Sequence, residues 1–483
     1  MSWRSVVTIP WEAHPLTLGQ NSLYVRLDPA GNITHRMVVK TTSLPHHVWI
    51  MARQWYVDES DPTKRQHMEI KVMEEIAGVA GDHKCVRLQN ATIDHSRFMY
   101  SLYTPFYPRG DLSDFIMPWS EYMHSGKMIP EPVLWKWLED LTEASLLMST
   151  GAAPQSAGVD GWKKIVHCDF KPSNVFLDNP DAELWRSYPQ AIVGDFGLAI
   201  FTDENDPFNP SWYNAVNTGT PGYKPPEQVA MVDSNSGRIA DMGKFGDASN
   251  VWGIGATIMR LMNRERDAAQ PRYAEDVRGQ MEPQLHESAR DFYSKYLCDL
   301  VVGCVQFRTY YRTNLLELWS KITRYTHRTN ATYESAIDGD DEDEVEALKR
   351  NIRKQKYGDD GDDGDDSNNE NHLVYAQEKY RIGMAITDQG EQGDDSQNQD
   401  DENPQDDNPH DDSQQDMGQG LMEQLGLGMG MGGVDPFGGA LDDELPRGGR
   451  GRYPGARALD ENYDDEEEEV EEDEDEDEGG YGY

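Results

Sequence analysis

His167-Cys168-Asp169-Phe170-Lys171-Pro172-Ser173-Asn174 is the stretch on which the reading of this chain turns. It sets an acid and an amide five positions apart with a lysine between them, and the β-type run Val175-Phe176-Leu177 follows. About twenty residues further on, Ile192-Val193-Gly194 leads into Asp195-Phe196-Gly197, a second carboxylate just after a short strand. Transfer of a phosphoryl group from a nucleoside triphosphate needs a carboxylate to orient the attacking hydroxyl, a cation on the phosphates and ligands for magnesium. Asn174 and Asp195 are oxygen donors, which suit a hard cation that keeps several of its waters.

Taken together, these residues resemble the catalytic-loop and D-F-G motifs of eukaryotic protein kinases, whose spacing is specific. The resemblance implies Asp169 as catalytic base, Lys171 as the residue steadying the transferred phosphate, and Asn174 and Asp195 as magnesium ligands. It extends over roughly residues 16–326. Gly219-Thr220-Pro221-Gly222-Tyr223-Lys224-Pro225-Pro226-Glu227 is similar to the end of an activation segment, and Ser249-Asn250-Val251-Trp252-Gly253-Ile254-Gly255 to the start of the helix that follows it. Cys304 and Arg312 resemble the last shared helical region, where the arginine pairs with the glutamate here numbered Glu227. Asn250, Glu227 and Arg312 are assigned to stability rather than chemistry.

Working toward the N-terminus, Phe98–Tyr107 has the composition of a strand, and a helix is expected over residues 64–77. There Glu69, Val72, Met73 and Ile76 fall on one helical face, so the carboxylate needs a partner. Residues 18–44 suggest two short strands, Leu23–Leu27 and Met37–Lys40, around the turn Asp28-Pro29-Ala30-Gly31-Asn32. By resemblance Lys40 is the ATP-phosphate lysine and Glu69 its partner, despite a separation widened by an insertion at Leu44–Ser60. Arg53, in the strand-like Val48–Arg53, is the rival partner, and a solvated Lys40 is a further alternative. The glycine loop is assigned to Leu18–Val25, with Leu18, Gly19, Asn21 and Val25 beside the nucleotide together with Val38. It keeps one glycine where the family has three, which limits close backbone approach to phosphate. Thr104 is the gatekeeper, Phe106 and Tyr107 form the hinge, Asp111 contacts ribose and Phe176 is the adenine floor. Cys168 stands where the family has arginine. Asn250 replaces an aspartate whose acceptor role an amide oxygen can keep.

Beyond this stretch, Pro132 suits a first helical turn, and Leu134, Trp137, Leu138, Leu141 and Met148 line one face after it. Further helices fit residues 250–262, 291–305 and 312–325. A strand-rich first third followed by helices makes the fold class α+β. The resemblance makes it a bilobal protein-kinase-like fold, with a small β-rich N-lobe at about 1–107 and a larger helical C-lobe at about 108–333.

Charge divides the chain at the same place. Residues 334–483 hold 49 acidic and 11 basic residues, −38 of a formal −44. The first 333 residues are near −6, which is ordinary for a globular domain. The acidic runs at Asp359–Asp366, Asp400–Asp412 and Asp464–Glu478 lie among Gly, Asn and Gln, so 334–483 is expected to be a disordered acidic tail. His372–Ile386 is a candidate transient helix and Leu421–Phe437 an apolar island. Arg447, Arg450 and Arg452 resemble an RGG-type patch, but the surrounding charge excludes nucleic acid as a partner.

The four cysteines are scattered, which argues against disulfides and zinc. No apolar run reaches the ~18 residues of a membrane helix, and the start lacks a signal-peptide layout. The expectation is an intracellular protein, cytoplasmic or nuclear. The leading reading is an ATP- and magnesium-dependent serine/threonine kinase acting on protein substrates, with basic partners for its tail. A pseudokinase scaffold is one alternative, and a small-molecule phosphotransferase of the aminoglycoside-kinase type, sharing H-x-D-x-x-x-x-N, is another.

Overall fold

The Asp28 carboxylate organises the first turn of known register. Its Oδ1 accepts the Ala30 and Asn32 amides at 2.9 and 2.8 Å, and Gly31 takes a φ of +89°, where a side chain would be strained. On either side run β2 (Thr17–Leu27) and β3 (Ile33–Ser43), each 11 residues long in the computed structural model and longer than expected. An unexpected strand, β1 (Trp3–His14), pairs outside β2. It contains Pro10, which an edge strand tolerates.

The structure describes residues 3–384 apart from 15–16, 58–60, 62, 82–83, 114–127, 204, 206–208, 210–217, 230–243, 264–271, 276–280, 328–341, 359–379 and 383. All belong to one unit, Met1–Gly393.

The insertion after β3 is not a strand at Val48–Arg53. It forms a short helix, α1 (His46–Trp49), a 3-10 turn at Ala52–Gln54 and a small hairpin of β4 (Trp55–Val57) and β5 (Arg65–His67). The helix α2 (Met68–Gly78) therefore starts four residues later than expected, and it buries Glu69, Val72, Met73 and Ile76 as its periodicity implied. With β6 (Asn90–Asp94) and β7 (Met99–Thr104) the sheet is antiparallel, in the order β1-β2-β3-β7-β6.

The remainder is mainly helical, so the fold is α+β with an N-terminal antiparallel sheet. Its central member is α3 (Glu131–Thr150), buried around most of its circumference. Gly151, at φ +68°, ends it by donating to the Leu147 carbonyl at 2.8 Å, the left-handed C-terminal cap. Short strands follow: β8 (Lys164–Val166), β9 (Val175–Asp178), β10 (Gln190–Val193) and β11 (Ile200–Thr202), paired β8 with β11 and β9 with β10. Next come α4 (Asp247–Asn263) and the hairpin of β12 (Arg272–Glu275) and β13 (Met281–Gln284). The helix expected over 291–305 is two helices, α5 (Glu287–Phe292) and α6 (Lys295–Cys304). They separate where Ser294 Oγ caps α6 by accepting the Leu297 amide at 3.2 Å. Then α7 (Leu315–Thr326) packs on α3.

The boundary expected at residue 333 needs amendment, because α8 (Glu342–Tyr357) is helical and docked. Ile352 is fully buried in the main core. Lys356 donates to Glu139 Oε1 at 2.5 Å, and its carbonyl accepts the Trp185 amide at 2.8 Å. Trp185 Nε1 and His327 Nε2 meet the same carboxylate at 3.0 and 2.8 Å. Composition averaged over the whole tail concealed one amphipathic helix. Of the helix expected over 372–386, residues 380–382 and 384 are described and are not helical. Here Met384 O accepts the Ile33 amide at 2.9 Å and Tyr380 O accepts from Arg36 at 3.2 Å. Leu421–Phe437 and the arginines at 447, 450 and 452 lie outside the described residues. No helix among the described residues is long and apolar enough to cross a membrane.

Candidate active site

Strand β8 delivers the chain to residues 167–174, and α4 holds it there. Asn250 Nδ2 donates to the Ile165 carbonyl at 2.8 Å, and its Oδ1 accepts the His167 amide at 3.0 Å, the acceptor role foreseen for the amide. A Cβ on Gly253 would collide with Phe170, so glycine permits this close approach. His167 is wholly buried, and burial lowers its pKa. The neutral ring donates from Nε2 to Gly194 O at 2.9 Å and leaves Nδ1 to accept the Asp169 amide at 3.3 Å. Cys168 takes φ +60°, a strained conformation for a residue with a Cβ. Its carbonyl accepts from Gln228 Nε2 at 2.7 Å.

The Asp169 carboxylate is gripped from three directions. Lys171 Nζ lies 2.8 Å from Oδ2, Asn174 Nδ2 donates to Oδ2 at 3.1 Å, and the Thr220 amide donates to Oδ1 at 2.7 Å. Burial opposes the charge, but Lys171 and Thr220 outweigh it and hold the carboxyl below its usual range. Lys171 also donates to Thr220 Oγ1 at 2.7 Å.

Asn174 and Asp195 come together through the β9–β10 register. Val175 faces Val193, and Gly194 N donates to Asn174 O at 2.8 Å, so both donors stand at one end of the strand pair. Asp195 takes φ +60° and ψ +70°. Desolvation by its neighbours would raise its pKa, although the side chain still reaches solvent, but Lys40 more than compensates and the carboxyl falls to about 2. It is an anion at any physiological pH, and an amide beside a carboxylate is a donor set that fits magnesium.

Lys40 bridges two carboxylates, at 2.8 Å from Glu69 Oε1 and 2.6 Å from Asp195 Oδ1. Burial works against its charge, but Asp195 and then Glu69 hold its pKa well above the ordinary lysine value. Arg53, the rival partner, is exposed in its 3-10 turn. Glu227 and Arg312 form the expected buried pair, bidentate at 2.7 and 3.0 Å.

On the sheet, Val38 faces Leu23 across one ladder and Thr104 across the other, so the three share a face with Lys40. The expected glycine loop differs. Leu18, Gly19, Asn21 and Val25 lie inside β2, flanked by β1 and β3; Gly19, for instance, faces both Trp11 and Thr42. Their backbone groups serve the ladders and are not free to cradle phosphate. The β1–β2 connection falls at 15–16, outside the described residues. Val25 is fully buried beside Ile33 and faces Arg36; Leu23, which the sequence reading passed over, is the residue opposite Val38. Asn21 is exposed and faces Lys40. Phe106 meets Arg36 at 5.4 Å and Tyr380 at 6.2 Å. The Tyr107 and Phe176 rings stack at 5.7 Å and 8°. Asp111 bridges to the Phe176 backbone, and its Oδ1 accepts the Ser113 amide at 2.7 Å.

Residues 50–322, more than half of the chain, match the protein kinase domain family. Among curated proteins, the chain is 26% identical over 163 residues to serine/threonine-protein kinase Nek2 of Mus musculus, covering 33% of this chain and 30% of that one. Serine/threonine-protein kinase ELM1 of Saccharomyces cerevisiae is 27% identical over 165 residues, 32% of this chain and 22% of its own. The receptor kinase-like protein Xa21 of Oryza sativa subsp. japonica is 30% identical over 161 residues, 33% of this chain and 14% of its own. The match spans less than a third of each relative's length.

Proposed function

Because this chain belongs to the protein kinase domain family, we propose that it transfers the γ-phosphoryl group of ATP to serine or threonine hydroxyls of protein substrates. The observation that carries the reading is Lys40, held between Glu69 and Asp195 while Asp169 is held by Lys171 and the Thr220 amide. In this reading the fold is bilobal. ATP lies between the sheet and the helical part, with Leu23, Val38 and Thr104 above the adenine, Phe176 below it, Phe106 and Tyr107 at the hinge and Asp111 at the ribose. Asn21 and Lys40 face the phosphates.

Asp169 is the base: an ionised carboxylate that accepts the substrate hydroxyl's proton and aims its oxygen. Lys171 sits beside the transferring phosphoryl group. Asn174 and Asp195 would hold magnesium, which neutralises charge on the phosphate oxygens when bound. Serine/threonine specificity is supported by the Lys171–Thr220 contact and by the likeness to the serine/threonine-protein kinases Nek2 and ELM1. The folded domain ends after α8, and the acidic remainder attracts basic partners in a salt-sensitive way. The four described cysteines are free and buried, in keeping with a cytoplasmic or nuclear protein.

Phosphate incorporation into a mixture of proteins tests the reading. It requires magnesium and falls on the order of 10²-fold or more with Asp195→Asn, since the metal's anchor is the charge that is lost. Equal incorporation by wild type and variant assigns the activity to a contaminant. One observation favours the scaffold reading: from residue 3 to residue 30 the chain has a single glycine, Gly19, and it is locked in the sheet. Nucleotide binding without transfer by the wild type would select that reading.

Activity is independent of activation-segment phosphorylation. Cys168 occupies the position of a docking arginine, buried against Phe245 and Ile200. The end of the segment is instead tied by Gln228 to Cys168 O and to Thr218 O at 2.7 and 3.0 Å. Phosphatase treatment therefore changes the rate less than about twofold, whereas a phosphate-dependent loop would lose charge-assisted bonds and much of its activity. Of the segment's hydroxyl residues, Ser211 and Tyr213 lie outside the described residues.

A further inference from the structure

Glu69 has two oxygens, and Lys40 takes only one of them. The other, Oε2, accepts from the Tyr100 hydroxyl at 2.5 Å, inside a site where Glu69 is 1% and Tyr100 5% exposed. The β3–β7 register puts Tyr100 there. Leu102 faces Lys40, and Tyr100, two residues earlier, faces Thr42, so Tyr100 and Lys40 project to the same side of the sheet.

The Tyr100 ring is backed by His67, whose ring centroid lies 4.0 Å away. His67 is 2% exposed, and among the described residues neither of its ring nitrogens has a hydrogen-bond partner. A buried, unpartnered imidazole is costly, so the site keeps it as a flat apolar plate rather than as a polar group. Trp49 and Trp55, at 5.9 and 5.7 Å, close around it. Both come from the insertion between β3 and α2, and His67 is the residue that directly precedes α2. The insertion thus ends by setting the rotation and height of the helix that carries Glu69.

We propose that Tyr100 is a positioning residue: its hydroxyl, braced by His67, holds the Glu69 carboxylate in the plane that presents Oε1 to Lys40. This rests on the kinase reading for its effect on catalysis, though not for its effect on α2. A carboxylate held at one oxygen still turns about its last torsion. Held at both, it fixes the ammonium between Glu69 and Asp195 before nucleotide arrives, which is preorganisation of the phosphate-binding cation. Burial, with Glu69 beside it, pushes the Tyr100 phenol well above its usual range, so the hydroxyl keeps the proton it donates. Burial and then the Lys40 charge bring His67 down to about 3, so it remains a neutral plate.

Tyr100→Phe in the full chain keeps the ring on His67 and removes only the donor. Two readouts decide the matter. In nucleotide-free protein, amide exchange across residues 69–76 of α2 speeds by about tenfold, the expected effect of losing one charge-assisted hydrogen bond, while the thermal midpoint stays within a few degrees. In the transfer assay, kcat/KM for magnesium-ATP falls by about tenfold, KM for the acceptor protein does not change, and Tyr100→Phe costs nothing further in a Glu69→Gln background. Unchanged α2 exchange overturns the proposal. So does an equal loss of kcat/KM in both backgrounds, which marks Tyr100 as acting elsewhere. Accelerated exchange in a protein whose wild type transfers no phosphate supports the positioning role and refutes the kinase reading.

Discussion

Lys40→Met lowers phosphoryl transfer by on the order of 10²- to 10³-fold, the usual consequence of removing a preorganised charge from the reacting centre. The substitution removes the cation shared by Glu69 and Asp195 while keeping the length and packing of the side chain. Both carboxylates lose a partner, so some stability is lost as well. Asp195 has access to solvent and Glu69 keeps the Tyr100 hydroxyl, however, which confines the damage to a few degrees of thermal midpoint. Arg53→Met, at an exposed position, leaves the rate within about twofold. Steady-state kinetics on both variants, with circular dichroism to confirm folding, check this. A mild Lys40→Met beside a severe Arg53→Met would contradict the assignment of the cation.

Ending the chain at residue 335 unfolds it. The truncation removes α8, and with it the fully buried Ile352, worth about 1.5–3 kcal/mol. It also takes Lys356 from Glu139, a buried charge whose orphaning costs about 3–5 kcal/mol. His327 and Trp185 still reach that carboxylate and place the cost at the low end. Trp185 and Tyr188, in the segment between β9 and β10, lose their contacts with Lys356 and Gln355 as well. The sum is comparable with the ~5–15 kcal/mol stability of a whole domain. Residues 1–358 fold and 1–335 aggregate or expose their core, as urea titration and near-ultraviolet dichroism report; equal stability would refute the docking of α8.

The latch has a pH signature. Burial would raise the Glu139 pKa, but His327 and Lys356 overcome it and lower it to about 2 from a usual 4.5. A depressed carboxyl stabilises the fold above its unfolded value, and that contribution fades as pH falls from about 4.5 toward 2. Glu139→Gln, already lacking the charge, is less stable at pH 7 and shows a flatter decline through that window.

The sequence was most legible where chemistry and spacing coincide. The strings from His167 to Asn174 and from Asp195 to Gly197 placed their side chains within hydrogen-bonding reach of one another. The carboxylate on the apolar face of α2 demanded a cation, and the Lys40 ammonium, 29 positions earlier in the chain, lies 2.8 Å from it. The same reasoning counted one partner for two oxygens, and so it missed Tyr100. Strand limits were less legible. The strand reading began at residue 18, and without β1 the stretch Leu18–Val25 passed for a loop, two residues out of step with the Leu23–Val38 pairing. In Val48–Arg53 the β-branched and aromatic composition lost to a tertiary demand, the seating of Trp49 in the aromatic cluster ahead of α2. The α8 helix escaped because its mean hydropathy is that of its acidic surroundings; only the spacing of Val345, Leu348 and Ile352 along one face signals it.

The measurement that bears most directly on the central claim is single-turnover transfer of labelled γ-phosphate from magnesium-ATP to protein, by the full chain and by its Asp169→Asn variant. Nucleotide binding is followed in parallel. Loss of a positioned general base costs typically 10²–10⁴-fold, so the wild type labels serine and threonine while the variant binds ATP equally well and transfers at a rate reduced by that factor. Matching rates in the two proteins, or ATP bound by the wild type with no labelled product, would contradict it.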